Sequence, residues 1–217
     1  MEITWYGLGC LRIIERGYPA IVTDPFDEEE TSYPLPHLRA DVVTSSIPQE
    51  DPKETHWKGI RGTPRILASP GEYEIGGLFI NGVPSYRDHK SGAELGENVI
   101  YSFSLNGLSF CHLGNLGHVP TQTQVERMGS VSILFIPVGL PKGLTPSMAS
   151  EVVSLIEPSI VIPIQYATPG LNVERESVDR FLKEMGAPKE TPVPILKLAS
   201  NTIPEETRIV LLEAQQI

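Results

Sequence analysis

The sequence predicts an α/β protein whose sheets are covered on the outside by helices. Three observations predict it. The first half is a run of short apolar strands broken by glycine and proline. The centre carries a hairpin of alternating residues across Asn106-Gly107. In the second half, apolar strands alternate with helical periodicity.

The strands of the first half are expected at Ile3 to Tyr6, Leu11 to Glu15 and Ala20 to Asp24, separated by Gly7, Gly9 and Gly17-Tyr18-Pro19. The acidic run Asp27 to Glu30 reads as a solvated loop. Further strands are expected at Asp41 to Thr44, ending in the polar segment Ser45 to Lys53, and at Arg65 to Ala68, before Pro70-Gly71. In the hairpin, Tyr101, Phe103 and Leu105 alternate with serines. Beyond Asn-Gly, Leu108, Phe110 and His112 alternate with Ser109 and Cys111, the strongest short-range hairpin signal.

Thr121 and Gln124 have the spacing of a capping box, opening a short helix to Met128. Val131 to Val138 is a continuous apolar strand. Thr145-Pro146 gives an N-cap and a proline at the first helical position, and Met148, Val152, Leu155 and Ile156 then form one helical face. Ser159 to Tyr166 reads as a buried strand. Val178, Phe181, Leu182 and Met185 form another face, closed by Gly186. The last strands are Ile195 to Leu198 and Arg208 to Leu212. No linker, low-complexity tract or fixed-period repeat interrupts residues 1–217, so a single domain is expected.

Seventeen basic against twenty-seven acidic side chains give a net charge of −10. That balance disfavours nucleic-acid and anionic-membrane partners unless a basic pocket is hidden within it. Apolar runs such as Val131 to Gly139 are too short to cross a bilayer. The start Met-Glu-Ile-Thr-Trp has no basic n-region, so no secretory leader is expected. Two cysteines, Cys10 and Cys111, are too few for a disulfide framework. The expected setting is the cytoplasm, with both thiols as buried small hydrophobes.

Polar, glycine-rich segments follow the strands, where rigid scaffolds display functional groups. Eight such stretches occur in order: Ile3 to Cys10, Val22-Thr-Asp-Pro-Phe26, Ala40 to Thr44, Pro70 to Gly77, Gly82 to Tyr86, His112-Leu-Gly-Asn-Leu-Gly-His118, Ile136 to Gly139 and Val161 to Tyr166. In this arrangement the chain resembles the metallo-β-lactamase superfamily, in the branch of zinc-dependent hydrolases that includes ascorbate-6-phosphate lactonase-like proteins. The resemblance spans nearly the whole chain. It implies a four-layer αβ/βα sandwich, one or two zinc ions held by histidines and aspartates at strand ends, hydrolysis of a phosphorylated lactone or phosphoester, and self-association.

The ligand positions depart from that pattern. The family's run His-x-His-x-Asp-His is here Ser45-Ser46-Ile47-Pro48-Gln49-Glu50. Isoleucine cannot ligate, and serine and glutamine are poor zinc ligands. Only Glu50 keeps a cation-binding group. The bridging aspartate is Asn115, the late histidine ligand is Gln165, the histidine before Asp88 is Arg87, and the histidine of the opening motif is Leu8. Asp24, Asp88 and His118 match the pattern in accessory places. One loss could tune metal choice; the loss of every recognised ligand within an intact frame predicts that zinc is absent and the site catalytically degenerate.

A pocket so altered needs another cation. Arg87 either pairs with Glu50, Asp88 or Asp24, or binds a small anion such as phosphate or carboxylate with help from His118. The vacated pocket is expected to comprise Ser45, Ile47, Gln49, Glu50, Arg87, Asp88, Asn115, His118 and Gln165, with Tyr166 as a candidate to close it. The alternative is an enzyme after all, with a hard cation rebuilt at Glu50 and Asp88, or metal-free acid–base chemistry by His118 with Asp24. A relocated zinc site from His37, His56, His89, His112 and His118 has no recognisable ligand spacing. Some proteins of this fold cleave RNA, but the charge and the lack of basic, aromatic-interleaved stretches argue against that role.

Overall fold

A computed structural model describes residues 1–33, 37–48, 57–187, 189–199 and 203–215. The elements run β1 (Glu2–Trp5), β2 (Leu11–Ile14), β3 (Ile21–Thr23), α1 (Glu28–Thr31), β4 (Leu38–Arg39), β5 (Val42–Thr44), β6 (Ile60–Arg61), β7 (Arg65–Leu67), β8 (Gly71–Ile75), β9 (Leu78–Tyr86), β10 (Glu97–Leu105), β11 (Leu108–His112), α2 (Gln122–Met128), β12 (Ile133–Pro137), α3 (Pro146–Ile156), β13 (Ile160–Ile164), α4 (Asp179–Glu184), β14 (Leu196–Lys197) and β15 (Arg208–Ile209).

Two mixed sheets form the sandwich. One has six strands in the order β14-β1-β2-β3-β5-β7, and the other seven, in the order β15-β13-β12-β11-β10-β9-β8. One apolar cluster runs through both, from Ile3 to Leu212, and joins Ile13, Ile21 and Val42 of the first sheet to Phe103, Phe110 and Ile133 of the second. The two-residue period of a strand sends neighbours to opposite faces. Val22 and Val43 therefore enter a second cluster with Tyr6, Phe26 and Tyr33, on the outer side of the first sheet. The cover there is thin, a one-turn helix and the short β4–β6 ladder. The central strands β12 and β13 are buried at all five positions each. That suits parallel strands covered on both faces, which read as continuous apolar runs.

The expected elements are present, most with boundaries shifted by one or two residues; the hairpin's first strand begins earlier, at Glu97, and the last strand ends at Ile209, three residues short of Leu212. The Asn106-Gly107 turn pairs Leu105 with Leu108, and both turn residues have positive φ (48° and 79°). The Thr121 capping box is closed in both directions. Thr145 caps α3 by accepting from the Met148 amide.

One reading needs correction, and one hairpin adds to the expected elements. The acidic run is not a loop: Glu28–Thr31 make one helical turn, with Asp27 at the N-cap position and Ser32 closing it by donating to the Glu28 carbonyl. The region after Pro70 is a second hairpin. Gly76-Gly77 turns β8 into β9 and pairs Ile75 with Leu78. Gly-Gly is a two-residue hairpin signal in its own right. Among the described residues, no helix is long and apolar enough to cross a membrane.

Candidate functional site

The pocket lies where strand ends of the two sheets meet. Leu8, Asp24, Ser45, Ile47, Asn115, Gln165 and Arg175 line one cavity of 520 Å³. Backbone conformation marks the spot. Leu8, Asp24 and Gln165 all have positive φ (48°, 36° and 60°), and the Gln165 amide donates to the Leu8 carbonyl at 3.0 Å. Each such residue costs on the order of 1–3 kcal/mol and persists only where its surroundings over-determine it. The frame that displays the ligand positions is thus kept, while the side chains it displays have changed.

Gly114 and Gly117 make this frame possible. A Cβ on Gly114 would lie 2.2 Å from Ser46 Oγ, and one on Gly117 would lie 2.1 Å from the Arg87 carbonyl oxygen. The segment His112 to His118 can therefore press against the loops after β5 and β9. Asn98 fixes it further: its Oδ1 accepts from the Asn115 amide at 2.8 Å, and its Nδ2 donates to the Leu113 carbonyl at 3.0 Å.

The late ligand position is occupied by an amide network. Gln165 Nε2 donates to Asn115 Oδ1 at 3.1 Å. Gln165 Oε1 accepts from both Nε and Nη2 of Arg175, each at 3.2 Å. Arg175 belongs to no recognisable motif. Its neighbour Glu176 explains its place, because the Glu176 carbonyl accepts from Ala167 at 2.9 Å and its amide donates to Gly139 at 2.8 Å. Those bonds fold the loop after β13 back over the pocket. Burial, and then the nearby charge of Arg87, lower the Arg175 pKa, yet a guanidinium stays protonated at such a site.

The Arg87 backbone amide donates to the Gly96 carbonyl at 3.1 Å, while its guanidinium makes no ion pair or hydrogen bond among the described residues and lines a second cavity, of 270 Å³, with Arg175, Lys142 and Asn115. Asp88 does not pair with it. Buried to 1% exposure, its carboxylate instead accepts four backbone amides: Lys90 and Gly92 on Oδ1 (2.8 and 2.9 Å), Glu94 and Leu95 on Oδ2 (3.1 and 2.7 Å). These bonds, that from Leu95 foremost, hold its pKa down at about 2. Asp88 therefore organises the loop after β9.

His118 is engaged at both nitrogens. Nε2 accepts from the Tyr86 amide at 3.2 Å, so Nδ1 carries the proton and donates to the Val119 carbonyl at 2.9 Å. The imidazole held in this way fastens β9 to the loop after β11. Tyr166 turns elsewhere: its ring packs on Trp5 and its hydroxyl donates to the Leu212 carbonyl at 3.3 Å. Gln49 and Glu50 lie outside the described residues.

The histidine that faces Asp24 is His112. Its Nε2 lies 3.1 Å from the Gly9 carbonyl, which only accepts, so Nε2 carries a proton. Nδ1 points at Asp24 Oδ2 across 4.0 Å, and both atoms are buried without a hydrogen-bond partner. Asp24 Oδ1 accepts from the Ser46 amide at 2.6 Å. Burial raises the Asp24 pKa, partly offset by His112 and Ser46. Burial likewise lowers that of His112.

Two facing sheets with a pocket at their strand ends make an αβ/βα sandwich, a fold that by itself does not fix a reaction. The chain matches the family described as Beta-lactamase superfamily domain over residues 2–165, and it belongs to that family. It is similar to a UPF0173 metal-dependent hydrolase of Lysinibacillus sphaericus, 24% identical over 196 residues that span 77% of this chain and 86% of that one. A UPF0173 metal-dependent hydrolase of Methanopyrus kandleri is 27% identical over 129 residues, 57% of this chain and 56% of that one. Among solved structures, a Thermotoga maritima protein named for the Zn-dependent hydrolases of the metallo-β-lactamase superfamily shares 34% identity, with a TM-score of 0.79 over 99% of both chains. An isothiocyanate hydrolase from Delia radicum gut bacteria shares the fold at a TM-score of 0.61 and 12% identity, over 99% of this chain and 97% of that one.

The fold family implies zinc in this pocket, and the described donors do not fit it. Ser45 gives its hydroxyl to the Ile47 carbonyl at 2.8 Å. Gln165 Oε1 is taken by a guanidinium, which already supplies positive charge at that position. Among the described residues, no group of three or more His, Cys, Asp or Glu could hold a metal ion.

Proposed function

We propose that this protein is a catalytically degenerate member of its family that binds a small anion in the altered metal pocket, without a metal. The observation that carries the reading is the position of Arg175, bonded to Gln165 and facing the same cavity as Arg87. Two guanidiniums and Lys142, with no carboxylate among the described residues of that wall, make a cationic recess in a chain of charge −10. Guanidiniums bind phosphate and carboxylate through charge-assisted, bidentate hydrogen bonds. Arg175 takes the helping role that His118 was expected to play, since both nitrogens of His118 are engaged.

The test has two arms. Metal content is measured by mass spectrometry on the purified protein, before and after incubation with zinc, manganese and magnesium and desalting. Less than about a tenth of an equivalent is expected, because native sites hold their metal tightly; near one equivalent overturns the metal-free reading. Titration calorimetry with inorganic phosphate is expected to give saturable binding that Arg175→Gln weakens about tenfold or more.

One observation favours a second reading, metal-free acid–base chemistry. Asp24 Oδ2 and His112 Nδ1 face each other unsatisfied, so a proton or a water belongs between them. On this reading His112 replaces His118 as the partner of Asp24, and His112→Asn abolishes whatever turnover of phosphorylated lactones or phosphoesters the protein has. We propose further that residues 1–217 act as one cytoplasmic domain that self-associates. The core shared from Ile3 to Leu212 supports the single domain, and light scattering on a sizing column tests the association.

A further inference from the structure

The pocket has two unlike halves that meet at Asn115 and Arg175, which line both cavities. The 270 Å³ half is walled by Arg87, Lys142 and Arg175. The 520 Å³ half is mixed: Leu8, Phe26, Ile47, Trp57 and Val173 line it beside polar groups that include the carboxylates of Asp24 and Asp27. The replaced positions sort themselves accordingly. Leu8 and Ile47, each standing where the resemblance expects histidine, are apolar and lie on the larger half. Arg87, standing for a third histidine, lies on the smaller. Ile47 is 41% exposed there, a branched aliphatic chain facing the cavity rather than the core.

Each carboxylate on the larger half has one oxygen bonded to a backbone amide. Asp24 Oδ1 accepts from the Ser46 amide, and its Oδ2 is turned toward His112. Asp27 Oδ1 accepts from the Lys58 amide at 3.3 Å. A bare anion would fill part of the smaller half and leave the larger one to water. Ligand sites are typically apolar surfaces with a few placed polar groups, and this pair of cavities has that composition for a two-part ligand.

We propose that the ligand is an amphiphilic organic phosphate monoester, its phosphate between Arg87 and Arg175 and its hydrocarbon body past Asn115 along Leu8 and Ile47. The proposal rests on the anion-binding reading above and adds the body to it. A dianion suits two neighbouring guanidiniums, because it offsets the repulsion between them.

The test is a calorimetric series of inorganic phosphate and n-alkyl phosphates from ethyl to hexyl. Each buried methylene is expected to tighten binding roughly fourfold over the first few carbons. Ile47→Asn, at an exposed position, is expected to flatten that gradient; circular dichroism checks its fold. Arg175→Gln is expected to weaken every member of the series. If phosphate binds with no gradient, or if Ile47→Asn leaves the gradient intact, the amphiphile proposal falls while anion binding stands. If hexanoate binds as tightly as hexyl phosphate, the phosphate assignment falls. If neither phosphate nor its esters bind, the anion-binding reading itself falls.

Discussion

In the loop after β9, Asp88 receives four backbone amides; on the pocket floor, Asp24 receives one. Both aspartates match the family's pattern; Asp88 is buried, and the Asp24 side chain is 12% exposed. Four amides favour the charged form of Asp88 and lower its pKa, whereas burial with one amide and an unpartnered oxygen raises that of Asp24. The difference teaches that the supply of backbone N–H groups decides what a carboxylate does. Asp88 is spent on holding a loop. Asp24 keeps an unmet demand, next to the one histidine that shares it.

The sharpest way to break the comparison is to remove the single amide that Asp24 has. Gly114→Ala, with its Cβ 2.2 Å from Ser46 Oγ and a φ of +64°, is expected to push Ser46 away and cost about 3 kcal/mol. Chemical denaturation measures the loss, and adding Ser46→Gly is expected to restore part of it. Next, Asp88→Ala removes four acceptor contacts at once. A fall in Tm of roughly 5 °C is expected, with new protease cleavage in 88–96, while Asp88→Asn keeps part of the network and loses less. An undisturbed loop in Asp88→Ala would erase the contrast.

Asp24→Asn has the opposite expected sign. Its Oδ1 still accepts from Ser46, its new N–H can donate to His112 Nδ1, and asparagine tolerates positive φ. A gain of about 1 kcal/mol at pH 7 is expected from satisfying a buried acceptor. The smallest effect is the pH dependence. The Asp88 pKa lies at about 2 when folded, below its ordinary 3.8. Its stabilisation is therefore full above about pH 4 and is lost as pH falls toward 2. The Asp24 pKa is raised above 3.8, so its contribution is present below that pH and is lost as pH rises through its folded value. Denaturation midpoints measured from pH 2 to 7 are expected to lose the acid-side slope in Asp88→Asn and to rise on the neutral side in Asp24→Asn.

The fold was legible because each element carries its own local signal. The Asn106-Gly107 turn, the Thr121 capping box and the Thr145-Pro146 start depend on neighbours within a few residues, and all three formed as read. The Gly76-Gly77 hairpin had an equally local signal and went unread. The changed ligand set was legible too, because positions in a known frame can be compared one by one. Arg175 was not. It sits ten residues beyond Gln165 in a loop without pattern, and only the bonds of Glu176 to Ala167 and Gly139 bring it back. Its one available clue was general, a loop that follows a buried strand. His112 was read as a hairpin residue, since nothing within six positions shows that Asp24 lies across the sandwich from it.

By itself, then, the sequence determined the element order, the two sheets and the identity of the residues at each former ligand position. The element order follows from side-chain periodicity and turn chemistry, which are local; the sandwich of sheets and the ligand positions follow from the resemblance to a known frame. Only the tertiary structure decided who partners whom: Arg175 with Gln165, His112 with Asp24, His118 with the Tyr86 backbone, and Asp88 with the amides of its own loop. Partnership is a matter of distance and direction in space, and residues far apart in the chain acquire both only when the two sheets close on their shared core.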